Sequence, residues 1–146
     1  MTRIQRFDHV GITVADLDAV TAFFVAFGFG IEGRTFLEGE FLDTVIGIPH
    51  SRAEMVLLRP PDDGTRLELT KFIRPDHTPG SPAAMATRLG LSNLSFEVEG
   101  VQALLDQLAA DGYHLIGGVG EYENTWRMAS VRGPEGIIVN LAERID

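Results

Sequence analysis

The sequence predicts an α+β domain built from two tandem copies of one β-α-β-β-β module. Three observations carry this prediction. A strand-then-helix pattern recurs at a constant offset of 84 positions, a glycine stop follows each helix at the same place, and a matching turn precedes the last strand of each copy. A repeat of this length marks a supersecondary unit used twice.

The elements follow in order. Phe7-Asp-His-Val-Gly-Ile-Thr-Val14 overlies Leu91-Ser-Asn-Leu-Ser-Phe-Glu-Val98. Val10, Ile12 and Val14 alternate with smaller or polar residues, which is the period-2 signal of a half-buried strand. Asp16 is a helix cap ahead of Leu17, Val20, Phe24 and Phe27, whose spacing of three to four places them on one helical stripe. Gly28 supplies the left-handed stop. In the second copy the stripe is Val101, Leu104, Leu105 and Leu108, and the stop is Gly112. Gly100 replaces the capping Asp, so this helix start reads as weaker. The aromatic cluster Phe23, Phe24 and Phe27 reads as helix-face core.

The back halves match at an offset of 72, with Asp62-Asp-Gly64 before Thr65–Thr70 and Pro134-Glu-Gly136 before Ile137–Leu141. Arg52–Arg59 and Thr125–Arg132 read as the strands completing two hairpins, and segments 34–42 and 114–121 as second strands. Leu42-Asp-Thr-Val-Ile-Gly-Ile-Pro49 reads as a loop or short helical turn. Module one thus covers about 5–73, a proline-bearing connector about 74–90, and module two about 91–143 of a single domain spanning 1–146.

Composition narrows the classes of function. The chain has 146 residues, 45% hydrophobic and 23% charged, enough for one domain with a real core. Twelve basic against twenty-one acidic residues give a net charge of −9, which disfavours nucleic acid and anionic membrane as partners. There is no cysteine, so disulfides and thiolate metal sites are excluded, in keeping with a cytoplasmic location. Residues 1–9 lack the apolar stretch of a secretory signal, and no apolar run reaches the ~20 residues of a membrane span. Phosphate-binding glycine loops and nucleophile elbows are missing from the sequence. The expected ligand is a small molecule.

Alternation then assigns faces. With Val10, Ile12 and Val14 under the helix, His9, Gly11 and Thr13 turn to the opposite face. Leu94, Phe96 and Val98 pack in the second copy, leaving Asn93 and Ser95 opposite. In the last strands Leu67 and Leu69 pack inward while Arg66, Glu68 and Thr70 face away; Val139 and Leu141 pack while Ile138, Asn140 and Ala142 face away. His9, Glu68, Asn93 and Asn140 therefore project from equivalent places. Arg66 and Arg127 are candidate counter-charges for Glu68, and His9 is a candidate hydrogen-bond partner of an Asn or of Glu68.

The segments Phe-Asp-His-Val-Gly-Ile-Thr-Val (7–14), Arg-Leu-Glu-Leu-Thr (66–70), Leu-Ser-Asn-Leu-Ser-Phe-Glu-Val (91–98) and Arg-Gly-Pro-Glu-Gly-Ile-Ile-Val-Asn-Leu (132–141) stand in an order that resembles the vicinal oxygen chelate superfamily. That superfamily includes glyoxalase I, extradiol dioxygenases, methylmalonyl-CoA epimerase, fosfomycin-resistance enzymes and bleomycin-resistance proteins. The resemblance spans roughly residues 5–143. It implies a strongly curved mixed sheet around a U-shaped cavity, and it implies a homodimer.

In metal-dependent members the resemblance implies His or Gln, Glu, His and Glu at the four matching positions. His9 and Glu68 fit; Asn93 stands in place of a His and Asn140 in place of a Glu. Amide oxygens are neutral, weak donors for a transition metal, and a single carboxylate offers little compensation for the ion's lost water. No cofactor is expected; a divalent metal, if bound, would fall to His9, Glu68, Asn93 and Asn140. Members lacking the metal set hold their ligands by stacking and hydrogen bonds. The sole tryptophan, Trp126, is the stacking candidate, with hydrophobic filling or a contact between copies of the chain as its other readings. Tyr122 and Met55 are added to the ligand-binding set, and Phe36 and Phe41 are further candidates for the pocket wall. His50, His77 and His114 fall in loops and read as surface residues.

Three readings follow. The first is a metal-independent binder of an aromatic or antibiotic-like molecule, using His9, Glu68, Asn93, Asn140, Trp126, Tyr122 and Met55. The alternative is an enzyme: a divalent-metal-dependent lyase, isomerase, epimerase or dioxygenase, or a metal-free catalyst with His9 and Glu68 as acid and base. The third is a structural or regulatory dimer with a vestigial cavity. Fold resemblance does not choose among them.

Overall fold

The structure is a computed structural model and describes residues 2–146. The chain divides into two compact units, Met1–Pro79 and Gly80–Asp146. The first holds β1 (His9–Thr13), α1 (Leu17–Ala26), β2 (Gly30–Glu38), α2 (Glu40–Ile46), β3 (Arg52–Arg59) and β4 (Arg66–Arg74). The second holds β5 (Leu94–Glu97), α3 (Val101–Ala110), β6 (Gly120–Tyr122), β7 (Trp126–Arg132) and β8 (Ile138–Arg144), with a single 3-10 turn at Pro134–Gly136. Each unit is a four-stranded mixed sheet, in the orders β1-β4-β3-β2 and β5-β8-β7-β6. The parallel pairs β1–β4 and β5–β8 occupy the same place in the two orders. The architecture is α+β, with tandem β-α-β-β-β modules. No helix among the described residues is long and apolar enough to cross a membrane.

One face of each sheet is covered by its helix. In the first unit Leu17, Val20, Phe23 and Phe24 of α1 are buried, as are Val56, Leu58, Leu67 and Leu69 of β3 and β4. Phe23 meets Phe24 and Phe27 edge-on at centroid distances of 5.2 and 4.9 Å, so this aromatic cluster is core. In the second unit Val101, Leu105 and Leu108 are buried together with Ala129, Val131, Val139 and Leu141. Burying a Leu, Val or Phe side chain stabilises by about 1.5–3 kcal/mol, so these two clusters are the main source of each unit's cohesion.

Helix starts differ between the units. Asp16 Oδ1 accepts from the Ala19 backbone N–H at 3.0 Å, as its sequence position predicts. Gly100 offers no side chain, and Glu143 on β8 takes over: its carboxylate accepts from Gly100 N at 2.8 Å and Val101 N at 3.4 Å. Both predicted glycine stops adopt positive φ, +109° at Gly28 and +89° at Gly112.

Several expected boundaries move. Segment 34–42 is not one strand: β2 starts at Gly30, carries a register shift between Ile31 and Gly33, and gives way to α2 at Glu40. The 42–49 segment is therefore mostly helix. In 114–121 only Gly120 and Glu121 belong to a strand, which continues to Tyr122; Leu115 makes an isolated bridge to Val131. Part of the connector is tied to the second unit, where the Pro82 carbonyl accepts from Arg132 at 2.8 Å. A side chain at Gly136 (φ +80°) would collide with the Pro82 backbone, which accounts for glycine there.

Candidate functional site

The uncovered face of the first sheet gathers His9, Glu68 and Met55. His9 opens β1 and lies opposite Arg66, so it shares a face with Arg66 and Glu68. Met55 on β3 pairs with Thr70 and joins the same face. The His9 ring sits between two carboxylates. Its Nδ1 is 2.7 Å from Asp8 Oδ2, and its Nε2 is 3.2 Å from Glu68 Oε2. Arg6 binds the other Asp8 oxygen. The His9 N–H is the leading reason the Asp8 carboxyl lies below its usual range, with Arg6 acting in the same direction. The His9 and Glu68 side chains are 38% and 25% exposed, so a solute can reach both.

The neighbouring charges are committed elsewhere. Arg66 donates to both oxygens of Glu32 at 2.9 Å and to Asp63 at 3.0 Å. Arg127 binds Glu121 at 3.1 Å and lies 3.5 Å from Glu143. Both are engaged by other carboxylates, and the side chain placed beside Glu68 is His9. The reason is register: Arg66 reaches across to Glu32 on β2, while Arg127 lies on the helix-covered face of β7. Phe36 is also displaced from its expected role. Its cross-strand partner is Glu54, which lies with Val56 on the α1 side, and the Arg52 guanidinium sits 4.7 Å over its ring. Phe41 projects from α2 and is exposed.

The uncovered face of the second sheet gathers Tyr122, Trp126 and Asn140. Tyr122 and Trp126 are directly opposed across β6–β7, and Trp126 is opposite Arg144 on β8. The Arg144 guanidinium lies 5.2 Å over the indole, a cation–π contact that fixes one ring face. Ser130 Oγ donates to Asn140 Oδ1 at 2.5 Å. Asn93, just ahead of β5, donates through Nδ2 to Ser92 Oγ at 2.9 Å. His50, His77 and His114 are exposed, as their loop positions predict.

These residues do not fit a tightly held divalent cation. The first unit offers one imidazole between two carboxylates, of which Asp8 is already engaged by His9 and Arg6; the second offers two neutral amides, each already bonded to a serine. Among the described residues no three His, Cys, Asp or Glu side chains form a metal-binding group.

Sequence reasoning missed Asp8, Glu143 and Arg144. Asp8 adjoins His9, and strand alternation would turn it to the opposite face; it precedes the first residue of β1, where that rule does not apply.

Comparison with known proteins places this fold. Residues 6–141 match the family model of the Glyoxalase/Bleomycin resistance protein/Dioxygenase superfamily. A glyoxalase family protein from Bacillus cereus is 34% identical, with 99% of this chain and 97% of that one covered and a TM-score of 0.95. The trypanothione-dependent glyoxalase I of Leishmania major is 20% identical over 96% of this chain and 87% of that one, with a TM-score of 0.65. Glyoxalase I from Zea mays is 18% identical over 97% of this chain and 45% of that one, with a TM-score of 0.66. These last two likenesses are of fold. Among curated proteins none matches the sequence significantly. Family model and close structural relative agree: the chain belongs to the glyoxalase/bleomycin resistance protein/dioxygenase superfamily.

Proposed function

We propose that this protein binds a small, aromatic or antibiotic-like molecule without a metal, with candidate ligand-binding residues on the uncovered face of each unit's sheet. The observation that carries this reading is the chemistry of the polar groups on those faces. One His–Glu pair stands in the first unit, and two serine-bonded amides occupy the matching places in the second. Such a set suits hydrogen bonding to a ligand better than holding a cation. Trp126 and Tyr122 supply an aromatic contact surface, and Met55 a deformable apolar one. A cytoplasmic homodimer belongs to the same reading; sedimentation at the mass of one 16.0 kDa chain would remove the dimer from it.

Trp126, as the sole tryptophan, reports its own site. Titration with bleomycin and a panel of planar aromatic compounds, followed by its fluorescence and by calorimetry, is expected to give saturable binding at fixed stoichiometry. Trp126→Ala is expected to weaken the binding measured calorimetrically by about tenfold, from lost stacking and burial. Elemental analysis of protein purified without chelators is expected to find no stoichiometric transition metal. Stoichiometric metal, or turnover with no saturable binding, would overturn the reading in favour of the enzymatic one.

A further inference from the structure

We propose that Asp8 is a positioning residue: by accepting the Nδ1–H of His9, it fixes which ring nitrogen faces Glu68. This deepens the binding reading, because it specifies what His9 presents to a ligand. A carboxylate can only accept, so the 2.7 Å contact requires the hydrogen to lie on Nδ1. In the neutral ring Nε2 is then an acceptor, and it lies 3.2 Å from a second acceptor, Glu68 Oε2. Two acceptors so close are complementary to one donor. The ligand group this pair takes is an amine or an ammonium, whose several N–H bonds can serve Nε2 and Oε2 together.

Two further features hold Asp8 in place. Its backbone carbonyl accepts from Arg66 N at 3.0 Å, which ties it to β4 two residues from Glu68. Its second carboxylate oxygen is engaged by Arg6, so the group cannot swing away from His9 without breaking an ion pair. The repeat supplies independent support. At the offset of 84, Asp8 and His9 correspond to Ser92 and Asn93, and there too the preceding residue binds the side chain of the next, Asn93 Nδ2 to Ser92 Oγ at 2.9 Å. Chemically different pairs make the same contact in both modules, as expected if the position before each site residue sets its orientation.

The test reads the histidine ring directly and needs no ligand, so it stands or falls separately from the binding reading. Long-range 1H–15N spectra of uniformly labelled protein are recorded above the ordinary histidine titration range, and His9 is assigned by its loss in His9→Gln. Wild type is expected to show the Nδ1–H tautomer for His9. Asp8→Ala is expected to shift it toward the Nε2–H form that free imidazole side chains prefer. Asp8→Asn, whose amide oxygen still accepts, is expected to retain Nδ1–H. If Asp8→Ala does not fold, the wild-type and Asp8→Asn spectra decide alone. An Nε2–H tautomer in wild type, or a tautomer unchanged by Asp8→Ala, would overturn the proposal.

Discussion

The two modules solve the same packing problem with different residues, and the differences come in compensating sets. Module one caps α1 from within, through Asp16; module two caps α3 from β8, through Glu143. At the offset of 72 the counterpart of Glu143 is Lys71, a donor that could not serve backbone N–H groups. The cap is thus supplied just ahead of the helix in one module and from a strand in the other: Asp with Lys in module one, Gly with Glu in module two. The uncovered faces diverged similarly. His9 and Glu68 keep ionisable chemistry in module one, while Asn93 and Asn140 are neutral and serine-bonded in module two. A duplicated fold tolerates this because sheet register and helix packing depend on the apolar pattern, which both copies keep.

The largest expected effect tests whether the two cores are equivalent. Leu69 and Leu141 occupy matching places and are both fully buried. Leu69→Ala and Leu141→Ala should each lower stability by about 2–5 kcal/mol in chemical denaturation. A loss confined to one of them would break the equivalence.

The caps come next. Glu143→Ala leaves two backbone N–H groups unpaired and should cost about 1–2 kcal/mol, against about 1 kcal/mol for Asp16→Ala. Gly100→Asp should not rescue Glu143→Ala, because Gly100 has φ +67° whereas a capping residue needs extended backbone. Full rescue, measured by thermal unfolding, would show that the cap can be supplied locally after all.

Acid should separate the modules most subtly. The carboxyls held below their usual range lie in module one: Asp8 by the His9 N–H, Asp18 by Arg34, Glu32 by Arg66, and Asp43 by Ser51. A carboxyl with a depressed folded-state pKa contributes stability above its ordinary value and loses it as pH falls through the folded value. Below the usual carboxylate range, amide-exchange protection should therefore fall in module one before module two. Simultaneous loss would show that these surface pairs contribute nothing measurable.

Much of the fold was legible in the sequence because its signals are local. Alternating Val10, Ile12 and Val14, the helical stripe from Leu17 to Phe24 and the stops at Gly28 and Gly112 each act within a few residues. The β3 boundaries, Arg52–Arg59, and the doubling of the module rest on signals of the same local kind. The segment 114–121 is only partly strand because Gly117 and Gly118 interrupt it: Gly120 and Glu121 join the β7 ladder, and Leu115 makes one isolated bridge to Val131. Phe36 misled because the register shift between Ile31 and Gly33 sets the phase of β2, and a shift of one residue turns every side chain over.

By itself, then, the sequence determined the doubled module, the helix-covered cores and the asymmetry between His9–Glu68 and Asn93–Asn140. Those follow from residue type and short-range period, which the chain carries wherever it folds. Only the tertiary structure decided which polar groups meet. Glu143 reaches a helix start more than forty residues away, Arg144 covers Trp126, and Arg66 turns to Glu32 and leaves His9 to Glu68. Contacts of that kind depend on strand register and on which side chain reaches an acceptor first, and neither is written in the order of residues along the chain.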